Sequence, residues 1–171
     1  PSIDIKTIGA GGGSIAWIDD AGSLRNGPQS AGARPGPACY GQGGEQPTNT
    51  DADLLLGRLG SGLAGGALRL DPALARAALT RHVTLPLGAG ETEAAKAVID
   101  VANANMADAI RLVSIMRGYD PRDFALIAFG GAGALHGAAL ARDLSIPTVI
   151  IPPNPGVTSA LGCLLVDIRH D

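Results

Sequence analysis

The sequence predicts an α/β fold, and two stretches of the chain carry that prediction. Towards the C-terminus, an apolar strand over 124–129 leads through a glycine turn into a helix over 134–144 and a second apolar strand over 148–151. Strand, helix and strand in this order form a βαβ unit, in which the two strands are parallel and the crossover is right-handed. Near the N-terminus, β-branched residues over 3–8 and 14–18 indicate antiparallel strands around a glycine run. We therefore expect a mixed sheet with packed helices.

Three helices are predicted between these two stretches. A short helix is expected over 50–59, with Thr50 or Asp51 as its cap. A second helix reaches about residue 82, because Asp71 is a capping residue and Pro72 fits the first helical position. The longest helix is expected over 91–118, where apolar residues recur at three- and four-residue steps.

The composition favours a single domain over residues 1–171. The chain has 171 residues, of which 46% are hydrophobic and 17% charged, with a net charge of -3. This apolar fraction is sufficient to offset the entropy lost on folding. The 16 acidic residues outnumber the 13 basic ones and only 3% of the chain is aromatic, which argues against a nucleic-acid partner.

Membrane partners and export are not expected either. No apolar stretch approaches the ~20 residues that span a bilayer, and the N-terminus lacks the layout of a secretory signal. The expected location is cytoplasmic. Because the sequence starts at Pro1 and leads directly into a strand-like run, we interpret it as part of a longer protein.

The segment over 27–50 is predicted to be a long loop rich in proline and glycine. The best candidate for a ligand-binding site is a different segment, the glycine turn of the βαβ unit. The turn consists of Gly130, Gly131, Ala132 and Gly133. Glycines let the backbone approach a ligand, and the unpaired amides of the following helical turn attract an anion. Neither the dinucleotide fingerprint nor the Walker A loop matches these residues. The alternative is a tight strand-to-helix turn without a ligand.

His136 lies close to this turn, in the first or second turn of the following helix. The positive end of the helix dipole favours a neutral imidazole there. Such a ring can donate a hydrogen bond to a phosphate or a substrate carbonyl, or accept a proton. A packed, hydrogen-bonded histidine is the alternative interpretation.

A second candidate ligand site is the glycine run with the serine that follows it, Gly11, Gly12, Gly13 and Ser14. The run resembles the Gly-x-Ser-x-Gly elbow of serine hydrolases, but Ser14 begins a strand, whereas the elbow leads from a strand into a helix. We therefore do not expect a serine nucleophile. The run either exposes backbone amides to a substrate or forms a bulge or turn at a sheet edge.

Candidate metal ligands are few. Cys39 and Cys163 lack the paired spacing of a zinc site, and we interpret Cys163 as a small buried hydrophobe. Asp51 and Asp53 follow a Thr-Asn-Thr run. Asp51 is either a magnesium ligand or a helix cap.

Five segments of the chain, in the same order, resemble the hydantoinase A/5-oxoprolinase family. They are Thr7–Trp17 (TIGAGGGSIAW), Ser30–Gly41 (SAGARPGPACYG), Thr50–Leu59 (TDADLLLGRL), Phe129–His136 (FGGAGALH) and Pro152–Gly162 (PPNPGVTSALG). The resemblance covers nearly the whole chain, and several long motifs in sequence make it specific.

The resemblance implies a fold and an activity. Members are similar to the actin, Hsp70 and hexokinase ATPases, in which two lobes bind ATP and magnesium. They couple ATP cleavage to the opening of a cyclic amide such as hydantoin or 5-oxoproline, or to the carboxylation of a ketone. By this resemblance, the turn over 130–133 contacts the adenosine, and a helix containing Ala160 and Gly162 packs at the hinge. We expect the loop over 11–14 to face the substrate.

The chain also departs from the family pattern. The two Asp-Gly-Gly-Thr phosphate loops of the family are absent, so the chain is interpreted as most of the second lobe, with little activity alone. Ala134 stands where many relatives have proline, and alanine suits an early helical position equally well. The expected partners are a cyclic amide and either the rest of its own chain or a hydantoinase B-type subunit. The alternatives are a piece of an acetone- or acetophenone-type ketone carboxylase and a non-catalytic structural domain.

Overall fold

The structure, a computed structural model, describes residues 5–165, and the chain divides into two compact units. Unit 1 comprises Pro1–Ala109 and unit 2 comprises Ile110–Asp171. In the described residues, unit 1 contains two small antiparallel sheets and unit 2 a parallel strand pair, each combined with helices. The α/β class is confirmed, although the strands form separate pairs and not one mixed sheet. The single domain and the ATPase lobe stay predictions.

Strands β1 (Ser14–Ile18) and β2 (Leu24–Ser30) form an antiparallel hairpin in unit 1. Asp19 stabilises the turn, because one carboxyl oxygen accepts the N–H groups of Ala21 at 3.0 Å and Ser23 at 2.8 Å. The backbone hydrogen bond from Ser23, followed by the side chain of Arg25, lowers the pKa of the Asp19 carboxyl. The hairpin positions the glycine run that precedes β1.

Two predictions about this region were wrong. Residues 5–8 form no strand, because among the described residues no other strand pairs with them, and residues 3 and 4 lie outside that range. The loop predicted from residue 27 begins only after β2, which continues to Ser30. Pairing with β1 extends β2, and Pro28, which has no N–H group, is tolerated because a two-stranded sheet has two free edges. Strands β3 (Gly62–Leu63) and β4 (Leu68–Arg69) form a second short pair.

Helix α1 (Asn49–Leu55) begins after Thr48 and not at Thr50 or Asp51 as predicted. The Thr48 hydroxyl accepts the Asp51 N–H at 3.4 Å, and the Asp51 carboxyl accepts the Thr48 N–H at 2.8 Å. This reciprocal capping box satisfies two backbone donors at once. It therefore places the cap three residues before Asp51.

The other helices of unit 1 follow the predicted order. Helix α2 (Pro72–Leu79) is capped by Asp71 and continues through a π-helical turn, Thr80–Thr84, into α3 (Leu85–Leu87). Helix α4 (Glu91–Ser114) is the longest, and it belongs to unit 1 as far as Ala109. The core consists of small and branched side chains from these elements, which are Ala16, Ala52, Leu79, Val83, Ala94, Ala95, Val98 and Ile99. Burial of each large member contributes about 2 kcal/mol, and the alanines allow the helices to approach closely.

Unit 2 contains the predicted βαβ unit. A 3₁₀ turn and Gly118, with a φ of +80°, end α4, and a further 3₁₀ turn over 121–123 leads into β5 (Ala125–Ile127). Helix α5 (Gly133–Asp143) follows, and β6 (Thr148–Ile150) pairs with β5 in parallel. The order of elements and the parallel pairing are confirmed, although both strands are shorter than expected.

Gly137 allows α5 to lie close to the strand pair. A Cβ at this position would lie 3.1 Å from Ala128 Cβ and 3.2 Å from Val149 Cγ1. We expect Gly137→Val to lower the free energy of unfolding by about 1–3 kcal/mol, because the larger side chain separates helix and sheet. Urea denaturation measures this change. Gly60→Val is the control, since a Cβ at Gly60 meets no atom within 4 Å, and equal losses in both variants would contradict the close packing.

Helix α6 (Thr158–Leu165) is the last described element, and it packs poorly. None of its residues is buried, and Leu164 is 82% exposed. Cys163 is exposed as well, so its prediction as a buried hydrophobe was wrong. The helix is apolar, but nothing in the described part of the chain covers it.

Residues 5–165 include no helix that combines the length and the apolar character needed to cross a membrane.

Candidate functional site

The glycine turn of unit 2 leads from β5 into α5 and presents an open backbone surface. Gly130 has a φ of +88°, and its N–H donates to the Pro155 carbonyl at 2.8 Å. A Cβ on Gly130 or Gly131 would meet no atom within 4 Å. Helix α5 begins after Ala132 without a side-chain cap. The Leu135 N–H donates to the Ala132 carbonyl at 3.0 Å, which leaves the N–H groups of Gly133 and Ala134 for water or a ligand. The turn therefore has the open geometry and the donors that an anionic ligand requires.

His136 follows this turn as the fourth residue of α5. Its side chain is 2% exposed, whereas Gly131 is exposed. This burial favours the packed histidine that the sequence left open as an alternative. A catalytic role for His136 stays a prediction.

The glycine run of unit 1 forms a tight turn that Ser14 stabilises. The Ser14 hydroxyl accepts the Gly11 N–H at 2.8 Å and donates to the Gly9 carbonyl at 3.4 Å. Ser14 is only 3% exposed. Its hydroxyl therefore holds the loop together, which agrees with the view that Ser14 is not a nucleophile.

The first turn of α1 fixes the carbonyl groups of the same run. The Asn49 side-chain amide donates to the Gly11 carbonyl at 2.8 Å. The Thr50 N–H and hydroxyl both donate to the Gly12 carbonyl at 2.9 Å. Three donors on α1 thus determine the conformation of the loop.

A buried amide pair connects this loop to β2 and α4. Asn26 donates from Nδ2 to Asn49 Oδ1 at 2.6 Å and lies 3.3 Å from the Val98 carbonyl oxygen. Asn105 donates to the Asn26 carbonyl at 3.1 Å. Sequence reasoning did not single out Asn26 or Asn49 as site residues. The position of Asn49 beside Thr48, shortly before Asp51, was a sequence signal that could have identified Asn49. Asn26 lies within a strand, and no sequence pattern marked it as a site residue.

We expect Asn49→Ala to lower the free energy of unfolding by about 1–3 kcal/mol, because the Gly11 carbonyl and the Asn26 side chain each lose a buried partner. Thermal denaturation measures the change. Asn105→Ala is the control, since Asn105 is exposed and donates a hydrogen bond to the Asn26 carbonyl. A larger loss for Asn105→Ala than for Asn49→Ala would contradict the role given to Asn49.

Asp51 is fully buried, and its carboxyl group accepts four hydrogen bonds. The donors are the Ala38 N–H at 3.2 Å, the Cys39 N–H at 2.7 Å, and the Thr48 N–H and hydroxyl at 2.8 Å each. This environment favours the cap over the magnesium ligand. Within residues 5–165, no three His, Cys, Asp or Glu side chains are grouped to hold a metal ion. The residues around Asp51 do not fit a magnesium site, and its metal role stays a prediction without structural support.

Cys39 and Tyr40 contact the first turn of α1, Cys39 through Asp51 and Tyr40 through Thr50. Burial raises the pKa of the Cys39 thiol, and the nearby Asp51 carboxyl raises it further, so this thiol is neutral and unreactive. Burial also raises the pKa of the Tyr40 hydroxyl, while a hydrogen bond with the Thr50 side chain acts in the opposite direction. Tyr40 is half-buried and contacts the same threonine that holds Gly12.

The structure thus brings the candidate residues together in two groups. In unit 1, Gly11, Gly12, Gly13 and Ser14 lie against the start of α1, next to Asp51. In unit 2, Gly130, Gly131, Ala132 and Gly133 form the open turn, with His136 shortly after it.

Comparison with known proteins identifies the family. The family model described as Hydantoinase/oxoprolinase matches residues 1–171. The chain belongs to the hydantoinase/oxoprolinase family. The resemblance of the five sequence segments is thereby confirmed.

Individual members of the hydantoinase/oxoprolinase family are similar over the whole chain. The caprolactamase subunit alpha of Pseudomonas jessenii is 50% identical over 172 residues, which cover 100% of this chain and 25% of that protein. The acetophenone carboxylase gamma subunit of Aromatoleum aromaticum is 45% identical and aligns with 96% of this chain and 22% of its own length. The crystal structure of the ATP-dependent caprolactamase from Pseudomonas jessenii matches with a TM-score of 0.89 at 50% identity, over 98% of this chain and 24% of that one. The chain spans about a quarter of the length of these relatives.

Proposed function

We propose that this chain is part of an enzyme that couples ATP hydrolysis to the opening of a cyclic amide, and that the turn over 130–133 binds the adenosine side of the nucleotide. The observation that carries the proposal is the open glycine turn before the uncapped N-terminus of α5. The 50% identity to an ATP-dependent caprolactamase supports the activity. The assignment to one lobe of an actin-, Hsp70- or hexokinase-like ATPase is part of the same proposal.

The chemistry explains why such an enzyme consumes ATP. An unstrained amide is a poor electrophile. ATP supplies a phosphoryl group to the amide oxygen, and the phosphate carries the negative charge of that oxygen. Water can then attack the amide carbon. The ring C–N bond then breaks, and ADP and phosphate are released. In phosphoryl transfer, positioning and charge stabilisation provide most of the catalysis, which backbone amides can deliver.

Residues of this chain have distinct tasks in the proposal. The N–H groups of Gly131, Gly133 and Ala134 hold the nucleotide. The glycine run over 11–14 faces the amide substrate, in a conformation fixed by α1. A role of His136 in orienting the phosphate or the substrate carbonyl stays a prediction, since its side chain is buried. No step is assigned to magnesium, because the environment of Asp51 does not fit it.

An assay of the full-length protein tests this function. Ring opening and ADP release are measured with hydantoin, 5-oxoproline and caprolactam, and ring opening is also measured without ATP. We expect at least one ring to stimulate ADP release, with one ring opened per ATP consumed. Ring opening that proceeds without ATP would contradict the proposal.

A second candidate is an ATP-dependent ketone carboxylase, and the 45% identity to an acetophenone carboxylase gamma subunit favours it. In this case ADP release requires bicarbonate together with a ketone and does not respond to cyclic amides. The two relatives above are named as subunits, so the proposal includes a hydantoinase B-type partner subunit for either activity. Assays with and without the co-expressed partner test that requirement.

A further inference from the structure

Among residues 5–165, the parallel strand pair of unit 2 is covered on one face only. Leu126 and Val149 are register partners and half-buried, and Val149 is the residue that α5 approaches at Gly137. Ile127 and Ile150 are also register partners, but they are 55% and 45% exposed. Because successive strand residues point to opposite faces, both isoleucines lie on the face away from α5.

This second face is here called the open face, and it consists of Ala125, Ile127, Thr148 and Ile150, all exposed. It carries no charged side chain. Parallel sheets are normally covered on both faces, and a two-stranded pair alone is marginally stable. The open face therefore has the properties of an interface.

Helix α6 shows the same pattern. Its residues Thr158–Leu165 include no charged side chain, and Leu161, Leu164 and Leu165 are 51%, 82% and 74% exposed. A helix that is apolar all round is normally buried. The strand pair β5–β6 and helix α6 thus both expose apolar surface of a kind that is normally buried inside a domain.

The length of the relatives indicates what covers it. The chain spans 25% of the caprolactamase subunit and 22% of the carboxylase subunit, so most of each relative lies outside the matched region. Parallel strands are joined by crossover connections that place helices of the same polypeptide on the sheet. Only one such helix, α5, is present for β5 and β6 among the described residues.

We propose that the open face is an internal interface: in the full-length protein, a further segment of the same polypeptide packs the apolar side of a helix against Ile127 and Ile150. The proposal rests on the chain being part of a longer protein, but not on nucleotide binding. A readout that does not use ATP therefore separates its failure from failure of the proposed activity.

Photo-crosslinking in the full-length protein identifies the covering segment. Benzoylphenylalanine replaces Ile150, and the control replaces Arg142, an exposed residue in the last turn of α5. We expect the Ile150 probe to crosslink within one chain to peptides outside residues 1–171, at a yield independent of protein concentration. Crosslinks between two copies, crosslinks confined to residues 1–171, or a yield no higher than that of the Arg142 probe would overturn the proposal.

Thiol labelling provides a second test, in which a smaller side chain replaces the isoleucine. Ile127→Cys is compared with Arg142→Cys in a full-length background that lacks other reactive cysteines, including Cys163. We expect Ile127→Cys to react with maleimide at least about tenfold more slowly, because labelling requires local opening of the interface. Equal rates in a variant with an unchanged melting temperature would show that solvent reaches the open face, and the proposal would be wrong.

Discussion

Gly131→Val is expected to lower the affinity of the full-length protein for ATP by about 100-fold, which corresponds to about 3 kcal/mol of binding free energy. A Cβ at Gly131 meets no protein atom within 4 Å, so the fold accommodates the valine. The same side chain occupies the space in which the proposed nucleotide lies against the backbone. Isothermal titration with ATP measures the change, and thermal denaturation verifies that the melting temperature is unchanged.

Position 131 is better suited to this test than position 130. Gly130 has a φ of +88°, so a side chain there strains the backbone and confounds binding with folding. Gly60→Val is the matched control, because a Cβ at Gly60 also meets no atom within 4 Å. If Gly131→Val binds ATP as tightly as the unmodified protein, the nucleotide does not lie at this turn.

Asp51→Ala is expected to cause the largest loss of stability in the chain, about 3–5 kcal/mol. The substitution leaves the N–H groups of Ala38, Cys39 and Thr48 without an acceptor in a fully buried environment, and each such loss costs about 1–3 kcal/mol. Urea denaturation, monitored by circular dichroism, measures the free energy of unfolding.

The control for Asp51 is Asp71→Ala, in which a helix cap that accepts the Ala73 N–H is removed at an exposed position. We expect that loss to be about 1 kcal/mol.

Thermal denaturation with and without magnesium separates the two interpretations of Asp51, the helix cap and the metal ligand. A melting temperature that rises with magnesium in the unmodified protein but not in Asp51→Asn would contradict the capping role and support a metal ligand.

Local patterns predicted much of unit 2 and less of unit 1. The βαβ unit was predictable because strand, glycine turn and helix are each encoded within about ten residues. The cap at Thr48 was misplaced, although Thr48 and Asp51 form a local motif, since the acceptor at the third helical position is an aspartate and not the usual glutamate or glutamine.

The support of the glycine run was not predictable. The hydrogen bond between Asn26 and Asn49 joins residues 23 positions apart, and that between Asn26 and Val98 joins residues 72 positions apart. Patterns of hydrophobic and polar residues are analysed over short windows of the sequence, so they cannot reveal hydrogen bonds between residues this far apart. The hydrogen bonds of Asp51 with Ala38 and Cys39 likewise cross the proline- and glycine-rich loop.

The sequence by itself determined the α/β class, the order of helices and strands in unit 2, the position of the glycine turn and the family. These features follow from hydrophobic periodicity, caps and glycines, which act between neighbours along the chain. Only the tertiary structure decided that Ser14 and Asp51 point inward as supports, that His136 is buried and that Cys163 is exposed. The physical reason is that burial and hydrogen-bond partners depend on segments far apart in the chain, which a local pattern does not specify.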